Sequence, residues 1–130
     1  MAESSFHATE FNKIGTILTG TNAQSLDVAP STYTTICSIS IPRGTWIVIA
    51  GNQYSTNFSA QCIGAIVDAN SAAVVPSTVR YSGSNGGGYN AAVIVTHASD
   101  TPTTLSLRTY HSDSETRTAS AVSMKAIRIA

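Results

Sequence analysis

Charge is scarce in this sequence. Only 11% of the 130 residues are charged, and seven lysines and arginines balance seven acids, whereas about a quarter of the residues in an average globular protein are charged. No basic cluster is present that would neutralise nucleic-acid phosphates, so nucleic-acid binding is not expected. Serine, threonine, asparagine and glycine must cover most of the surface, a composition common outside cells and in virion parts.

Long apolar runs and leader features are also lacking. No window approaches the roughly 18 apolar residues that a membrane-spanning helix needs, so we expect no membrane insertion. The N-terminal stretch "MAESSFHATE" contains an acid at Glu3 and no apolar core of a secretory signal. We therefore expect no signal peptide, and export by a route such as lysis if the protein acts outside a cell.

The motifs of common catalytic and metal sites are missing. His7, His97 and His111 form no HExxH pair, no GxSxG elbow is present, and the seven acids are spread along the chain. Cys37 and Cys62 lie 25 positions apart, which is neither a zinc nor a CxxC spacing. The pattern favours two buried free thiols, with a single disulfide as the alternative. We expect no metal, no cofactor and no enzymatic activity.

The residues that are present indicate β-structure almost throughout. Runs rich in Thr, Val, Ile and Tyr alternate with Gly, Pro, Asn, Asp and Ser clusters, and all four prolines fall at the edges of runs. These features predict an all-β sandwich or jelly roll of eight to nine antiparallel strands in residues 23–130, after an irregular or short helical lead-in over 1–22. The candidate strands are 14–18, 24–28, 32–41, 45–55, 61–68, 77–81, 89–97, 103–110 and 119–129.

Some of these strands are apolar on both faces. "TTLSLRTY" alternates as a strand with one solvated face should, but "WIVIA" at 46–50, "CIGAIV" at 62–67 and "AAVIV" at 91–95 do not. No helical segments are available to cover a second face, so another copy of the chain is the simplest cover; the alternative is a monomer with these strands beneath loops or deep in a barrel. The core or subunit-interface candidates are Trp46, Ile47, Val48, Ile49, Ile63, Ile66, Val93, Ile94 and Val95.

Two strand details sharpen this expectation. Alternation places Trp46 and Val48 on one face and Ile47 and Ile49 on the other, one set facing the core and one a neighbouring subunit. The bulky Trp46 is expected to be structural rather than a platform for a sugar. In the last strand the apolar pattern changes phase, which predicts either a bulge near Ala126 or a strand covered on both faces.

Three loops combine aromatic side chains with amides, carboxylates or a histidine: 52–59, 82–90 and 110–117. Glycan recognition joins an aromatic face for the sugar C–H surface to planar polar groups for the hydroxyls. The alternative is that these segments are plain solvated connections. The ligand-binding candidates are Tyr54, Phe58, Tyr89, Asn90, Tyr110, His111, Asp113 and Glu115.

The order of several segments resembles that of the C-terminal head domains of phage and prophage tail fibres, over roughly residues 30 to 130. The segments are "TTICSISIPRGTWIVIAG", "QCIGAIVD", a Gly-rich loop, "AAVIVTHASDTPTTLSLRTYHS" and "SAVSMKAIRIA", with Gly44-Thr45-Trp46 and a closing Ala126-Ile127-Arg128-Ile129. The run Gly86-Gly87-Gly88 departs from that pattern.

The resemblance implies a tumour-necrosis-factor and C1q-like jelly roll that forms a homotrimer at the tip of a virion fibre. It also implies that distal loops bind a bacterial surface glycan or protein. Two other functions stay open: a purely structural trimerisation, capping or decoration domain, and a fibre enzyme that cleaves glycans. The enzyme is disfavoured because such enzymes need a pair of suitably spaced carboxylates.

Overall fold

Nine antiparallel strands make up the described part of the chain. The computed structural model describes residues 13–21, 25–54, 60–74, 79–83 and 88–130. The strands match the nine candidates from the sequence to within a few residues at each end, because turn residues bound almost every run. They are β1 (Ile17–Thr19), β2 (Leu26–Val28), β3 (Thr34–Ile41), β4 (Gly44–Tyr54), β5 (Ala60–Val67), β6 (Val79–Gly83), β7 (Gly88–His97), β8 (Thr103–His111) and β9 (Arg117–Arg128).

The strands form two sheets that pack face to face. Sheet A has the order β1-β9-β4-β7, with β2 also paired to β9, and sheet B has the order β3-β8-β5-β6. Consecutive strands β3 to β9 alternate between the two sheets except at β5–β6, which is the connectivity of a jelly roll. The expected all-β, two-sheet sandwich is confirmed.

The core lies between the sheets and is built by strict alternation. In β4, Trp46, Val48 and Ala50 are fully buried, because side chains two apart share a face of a strand. They pack in one cluster with residues of sheet B such as Ile66 and Leu107. Trp46 also donates from Nε1 to the Pro42 carbonyl at 3.1 Å, so its polar atom is satisfied inside the core.

The opposite face of sheet A carries a row of isoleucines, one from each of four adjacent strands. The register pairs Ile17 with Ile127, Ile127 with Ile47, and Ile47 with Ile94. The two outer members, Ile17 and Ile94, are 60% and 63% exposed, and the two central ones are half-buried. We call these four residues the isoleucine row.

The predicted bulge near Ala126 is wrong. The register is unbroken where Val48 pairs with Ala126, and it shifts between Gly51 and Gln53. Ala121 there adopts a φ of 47°, the left-handed region. The phase change has a simpler cause: Ala126 points into the core, whereas Ile127 belongs to the isoleucine row.

The second apolar face of β5 is covered within the chain. Cys62 and Ile66 point into the core, while Ile63, Ala65 and Val67 point outward from sheet B and are still buried. Residues 68–74 fold back beside β5, with Val74 N donating to Ile66 O. The outward residues of β5 are thus buried within a single chain, so no subunit contact is needed to explain the apolar character of this strand.

The N-terminal part of the described chain belongs to sheet A. Residues 13–16 form a turn and β1 pairs with β9, so the predicted boundary after residue 22 leaves a strand of the sandwich in the lead-in. The described residues include no helix with the length and apolar character to cross a membrane.

Candidate functional site

The strand ends that bound the three loops predicted to bind a ligand lie at one end of the sandwich. Gln53 at the end of β4 pairs with Gly88 at the start of β7, and the ends of β5, β6 and β8 pair in the same way, Ala60 with Gly83 and Cys62 with His111. We call this the loop end. Phe58 lies outside the described residues, as does the side chain of Tyr89, whose backbone belongs to β7.

The β8–β9 connection is held by an ion-pair cluster. Arg117 Nε donates to Asp113 Oδ2 at 2.6 Å, and Arg117 Nη2 lies 3.5 Å from Glu115 Oε2. The hydrogen bond from Arg117 is the main reason that the pKa of the Asp113 carboxyl is lowered. The Asp113 and Arg117 side chains are mostly buried, so Asp113 holds the loop in place, while Glu115 remains largely exposed and available to a ligand.

Tyr54 and His111 do not lie on loop surfaces, contrary to the prediction. Tyr54 ends β4 and His111 ends β8, and both side chains are buried. The Tyr54 hydroxyl shares a hydrogen bond of 2.6 Å with Thr109 Oγ1, and the Tyr54 and His111 rings meet edge to face at 5.5 Å. His111 Nε2 lies 2.9 Å from the Val28 carbonyl oxygen. These contacts join the two sheets beneath the loop end, so both residues support the loops rather than touch a ligand.

Burial in this cluster also changes the pKa of Tyr54. Burial raises the pKa of Tyr54 to about 12, even though the hydrogen bond from Thr109 acts the other way. Burial likewise raises the pKa of the Cys62 thiol to about 11. Cys37 and Cys62 are both buried and free, as the spacing favoured.

A polar depression of about 400 Å³ opens beside these loops. Its lining includes Asn52, Gln53, Asn90 and Ala121. Asn90 is exposed, whereas Asn52 is only 3% exposed and its Oδ1 has no hydrogen-bond partner within the described residues. Asn52 was not among the predicted site residues, although its alternation with Trp46, Val48 and Ala50 places an amide on the inward side of β4.

Tyr110 lies directly before His111 at the end of β8, with its side chain on the outer face of sheet B. Its ring centroid is 4.8 Å from that of Tyr33, and the Arg108 Cζ atom lies 5.5 Å from the Tyr33 ring centroid. Tyr33 and Arg108 were not predicted as site residues. A signal for Arg108 existed, because it shares the outward face of β8 with Tyr110.

The core and interface candidates divide into three groups. Trp46, Val48, Ile66 and Val93 are in the core, and Ile63 is buried on the outer side of sheet B. The half-buried residues are Ile47 and Val95, and the exposed ones are Ile49 and Ile94. The outward set of sheet A is therefore the surface that stays uncovered in a single chain.

No constellation typical of a metal site is found in the part of the chain that the structure describes: no three His, Cys, Asp or Glu side chains lie together there. His97 instead contacts the Thr101 carbonyl oxygen through Nε2 at 2.7 Å. The chemistry offered by the described surfaces is hydrogen bonding, aromatic contact and ion pairing.

The fold is similar to that of solved virus structures. A structure of the infectious bursal disease virus Gt strain matches 87% of this chain with a TM-score of 0.51 and 16% identity. A crystal structure of a particle of the same virus matches 90% with a TM-score of 0.52 and 15% identity. This chain spans 32% of either matched chain. At such identity the likeness shows the fold alone, a two-sheet jelly-roll β-sandwich.

A more distant match is a phage tailspike. The enzymatically active domain of bacteriophage CBA120 tailspike protein 4 matches with a TM-score of 0.35 and 11% identity, too low to carry an argument. No protein-family description matches the chain, and no curated protein matches it.

Proposed function

We propose that this chain is a non-catalytic head domain of a virion fibre that forms a homotrimer and recognises a bacterial surface glycan or protein at its loop end. The resemblance to phage tail-fibre heads and the jelly-roll fold shared with virus structures support the proposal. The observation that carries it is the isoleucine row on the outer face of sheet A.

The isoleucine row is costly to leave in water. Fully burying an isoleucine side chain is worth roughly 1.5–3 kcal/mol. Because about three-fifths of Ile17 and of Ile94 is exposed, covering these two residues yields roughly 2–4 kcal/mol per protomer. A depression of about 380 Å³ beside Ile47 and Ile94 offers space for a partner's side chain. A second copy supplies the same apolar surface, and the resemblance favours three copies around an axis.

The assembly is tested by multi-angle light scattering on the purified protein. The chain has a mass of 13.5 kDa, and we expect about three times that mass at micromolar concentration. Ile94→Lys places a charge in the proposed interface and should yield monomer. Thr104→Lys is the matched control, because Thr104 is exposed on sheet B. A monomeric wild type, or a trimer that survives Ile94→Lys, would contradict the proposed interface.

Recognition at the loop end is tested by adsorption of labelled protein to bacterial cells. Asn90→Ala combined with Glu115→Gln removes one exposed amide and one exposed negative charge at this end. Asp100→Asn is the control, because Asp100 lies in the β7–β8 turn at the opposite end, paired with Arg43 at the surface. We expect adsorption to fall with the first variant only. Equal adsorption of both variants would count against the loop end as the binding surface.

A purely structural role is the second candidate. The fold is similar to that of a protein from a virus particle, which is compatible with a role in assembly alone. In that case the protein would be trimeric and would adsorb to no host cell.

The absence of catalysis is part of the proposal. Asp113, one of the few acids near the loop end, is engaged by Arg117 rather than paired with a second carboxyl. Incubation with capsular and wall polysaccharides should release no new reducing ends, and their appearance would refute this part.

A further inference from the structure

The outer face of sheet B contains a pocket separate from the loop end. Its volume is about 220 Å³, and we call it the sheet B pocket. It is lined by apolar residues of β5, by Tyr33 directly before β3, by Arg108 of β8 and by the turn after β5. The residues that carry the argument are Tyr33, Ile63, Ala65, Val67, Ser71 and Arg108.

Arg108 is a charged group that has no charged partner among the described residues. It lies in the middle of β8, between Thr35 of β3 and Ala65 of β5. Its Nε is buried and has no hydrogen-bond partner, and none of the described carboxylates forms an ion pair with it. The Arg108 Cζ atom lies 5.5 Å from the Tyr33 ring centroid, a cation–π contact that does not use the N–H donors of the guanidinium.

Aromatic surface lies directly beside this cation. Tyr33 directly precedes β3 and Tyr110 lies in the adjacent strand β8. Their ring centroids are 4.8 Å apart and their planes are tilted by 32°. Tyr33 remains 46% exposed. Two neighbouring tyrosines present an apolar ring surface together with hydroxyl groups, the combination that a pyranose ring requires.

The rim is held in place before any ligand arrives. The Asp68 carboxylate accepts hydrogen bonds from the backbone N–H of Asn70 and Ala72 at 2.8 and 3.0 Å. Between them, Ser71 adopts a φ of 63°, in the left-handed region. The Ser71 side chain is thereby held at the mouth of the pocket, so little ordering is required on binding.

We propose that the sheet B pocket binds one carboxylate-bearing sugar residue of an acidic polysaccharide. Arg108 binds the carboxylate through its N–H groups, and the Tyr33 ring contacts the C–H face of the sugar. A planar guanidinium matches a carboxylate better than a single point charge does. The volume is below the roughly 300–1,000 Å³ of pockets for drug-sized ligands, which suits a single sugar unit. The inference rests on the proposed function only in taking a bacterial surface glycan as the source of that sugar.

The test is a titration followed by NMR or calorimetry, with methyl glucuronide as probe. Methyl glucoside, identical except for the carboxylate, is the matched control ligand. A charge-assisted bidentate contact should make the glucuronide bind about ten- to hundredfold more tightly than the glucoside. Arg108→Gln should abolish this preference, and Tyr33→Leu should weaken the binding of both sugars. Arg43→Gln, at an exposed arginine of the opposite end, should change neither affinity.

Each outcome decides the proposal. A wild type that binds both sugars equally, or neither, overturns it without any variant, so a poorly folding Arg108→Gln does not block the test. Arg108→Lys keeps the positive charge but loses the planar pair of N–H donors. It should therefore retain part of the preference for the glucuronide. Glycerol phosphate binding as tightly as the glucuronide would overturn the acidic-sugar assignment in favour of a general anion site. Protein that adsorbs to cells and is trimeric yet ignores glucuronide would refute this inference and leave the proposed function intact.

Discussion

The hydrogen bond between Tyr54 and Thr109 should be a measurable part of the stability of the loop end. It is the short contact of 2.6 Å between a residue of sheet A and a residue of sheet B, and both side chains are buried. Tyr54→Phe removes one hydroxyl and leaves the Thr109 hydroxyl without this partner in the core. Thr109→Val does the reverse with almost no change in side-chain shape.

The expected cost follows from burial rather than from the hydrogen bond alone. Leaving a buried hydroxyl without its partner costs about 1–3 kcal/mol, and we expect each single variant to lose that much free energy of unfolding. Replacing both hydroxyls by apolar groups of the same shape is nearly neutral. The double variant should therefore lose about 1–2 kcal/mol less than the sum of the two singles.

The dependence of stability on alkaline pH provides an independent test of the same contact. The pKa of Tyr54 is raised to about 12 from an ordinary value of about 10. The neutral phenol is thus favoured in the folded state, and its contribution is fully present below pH 10 and lost as the pH rises toward 12. Ionisation of the buried Cys62 thiol causes a further loss of stability from about pH 9 to 11. Both wild type and Tyr54→Phe undergo this loss, so the difference between their free energies of unfolding reports the contribution of the tyrosine.

The assay is urea unfolding at one fixed protein concentration, at pH 7 and at several values between 9 and 12. The concentration must be held constant because an oligomer gains stability by mass action. Two results would refute the reasoning: strictly additive single variants, or a stability difference between wild type and Tyr54→Phe that does not change above pH 10.

Three further predictions concern other parts of the sandwich. Gly20→Ala should destabilise the protein by about 1–3 kcal/mol, because the new Cβ would lie 2.7 Å from Cys37 Sγ; an unchanged melting temperature would contradict this close approach. Cys37 and Cys62 should react with a thiol reagent only on unfolding, and a reductant should not shift the melting temperature, since both are buried and free. Asp113→Asn should reduce the loss of stability below about pH 4, because the pairing with Arg117 lowers the Asp113 pKa and is lost on protonation; equal acid sensitivity of both proteins would argue against this role.

Strand positions could be read from the sequence because they depend on local chemistry. "TTLSLRTY" alternates, and β8 buries Leu105 and Leu107 as that alternation requires. Turn residues and prolines bound the runs, so the ends of nine strands could be placed closely. A period of two is a property of the single strand and needs no knowledge of its partners.

The candidate site was less predictable because it depends on which strands are neighbours. Tyr54 and His111 are 57 positions apart in sequence and meet beneath the loop end, so their polar character indicated a surface where the fold makes a buried cluster. Tyr33 and Arg108 come together only because β3 and β8 are adjacent in sheet B. The loops themselves were identified from composition, but the strand ends that flank them are brought together by strand pairing.

The strand "GTWIVIAGNQY" shows which features the sequence determines and which the tertiary structure determines. The sequence by itself determined that this segment is a strand and that Trp46 and Val48 share one face while Ile47 and Ile49 share the other. It could not decide which face is inside, because both are apolar. Tertiary structure decided this: packing against sheet B buries the Trp46 face, and pairing with β9 and β7 aligns Ile47 with Ile127 and Ile94 into a row that a single chain leaves uncovered.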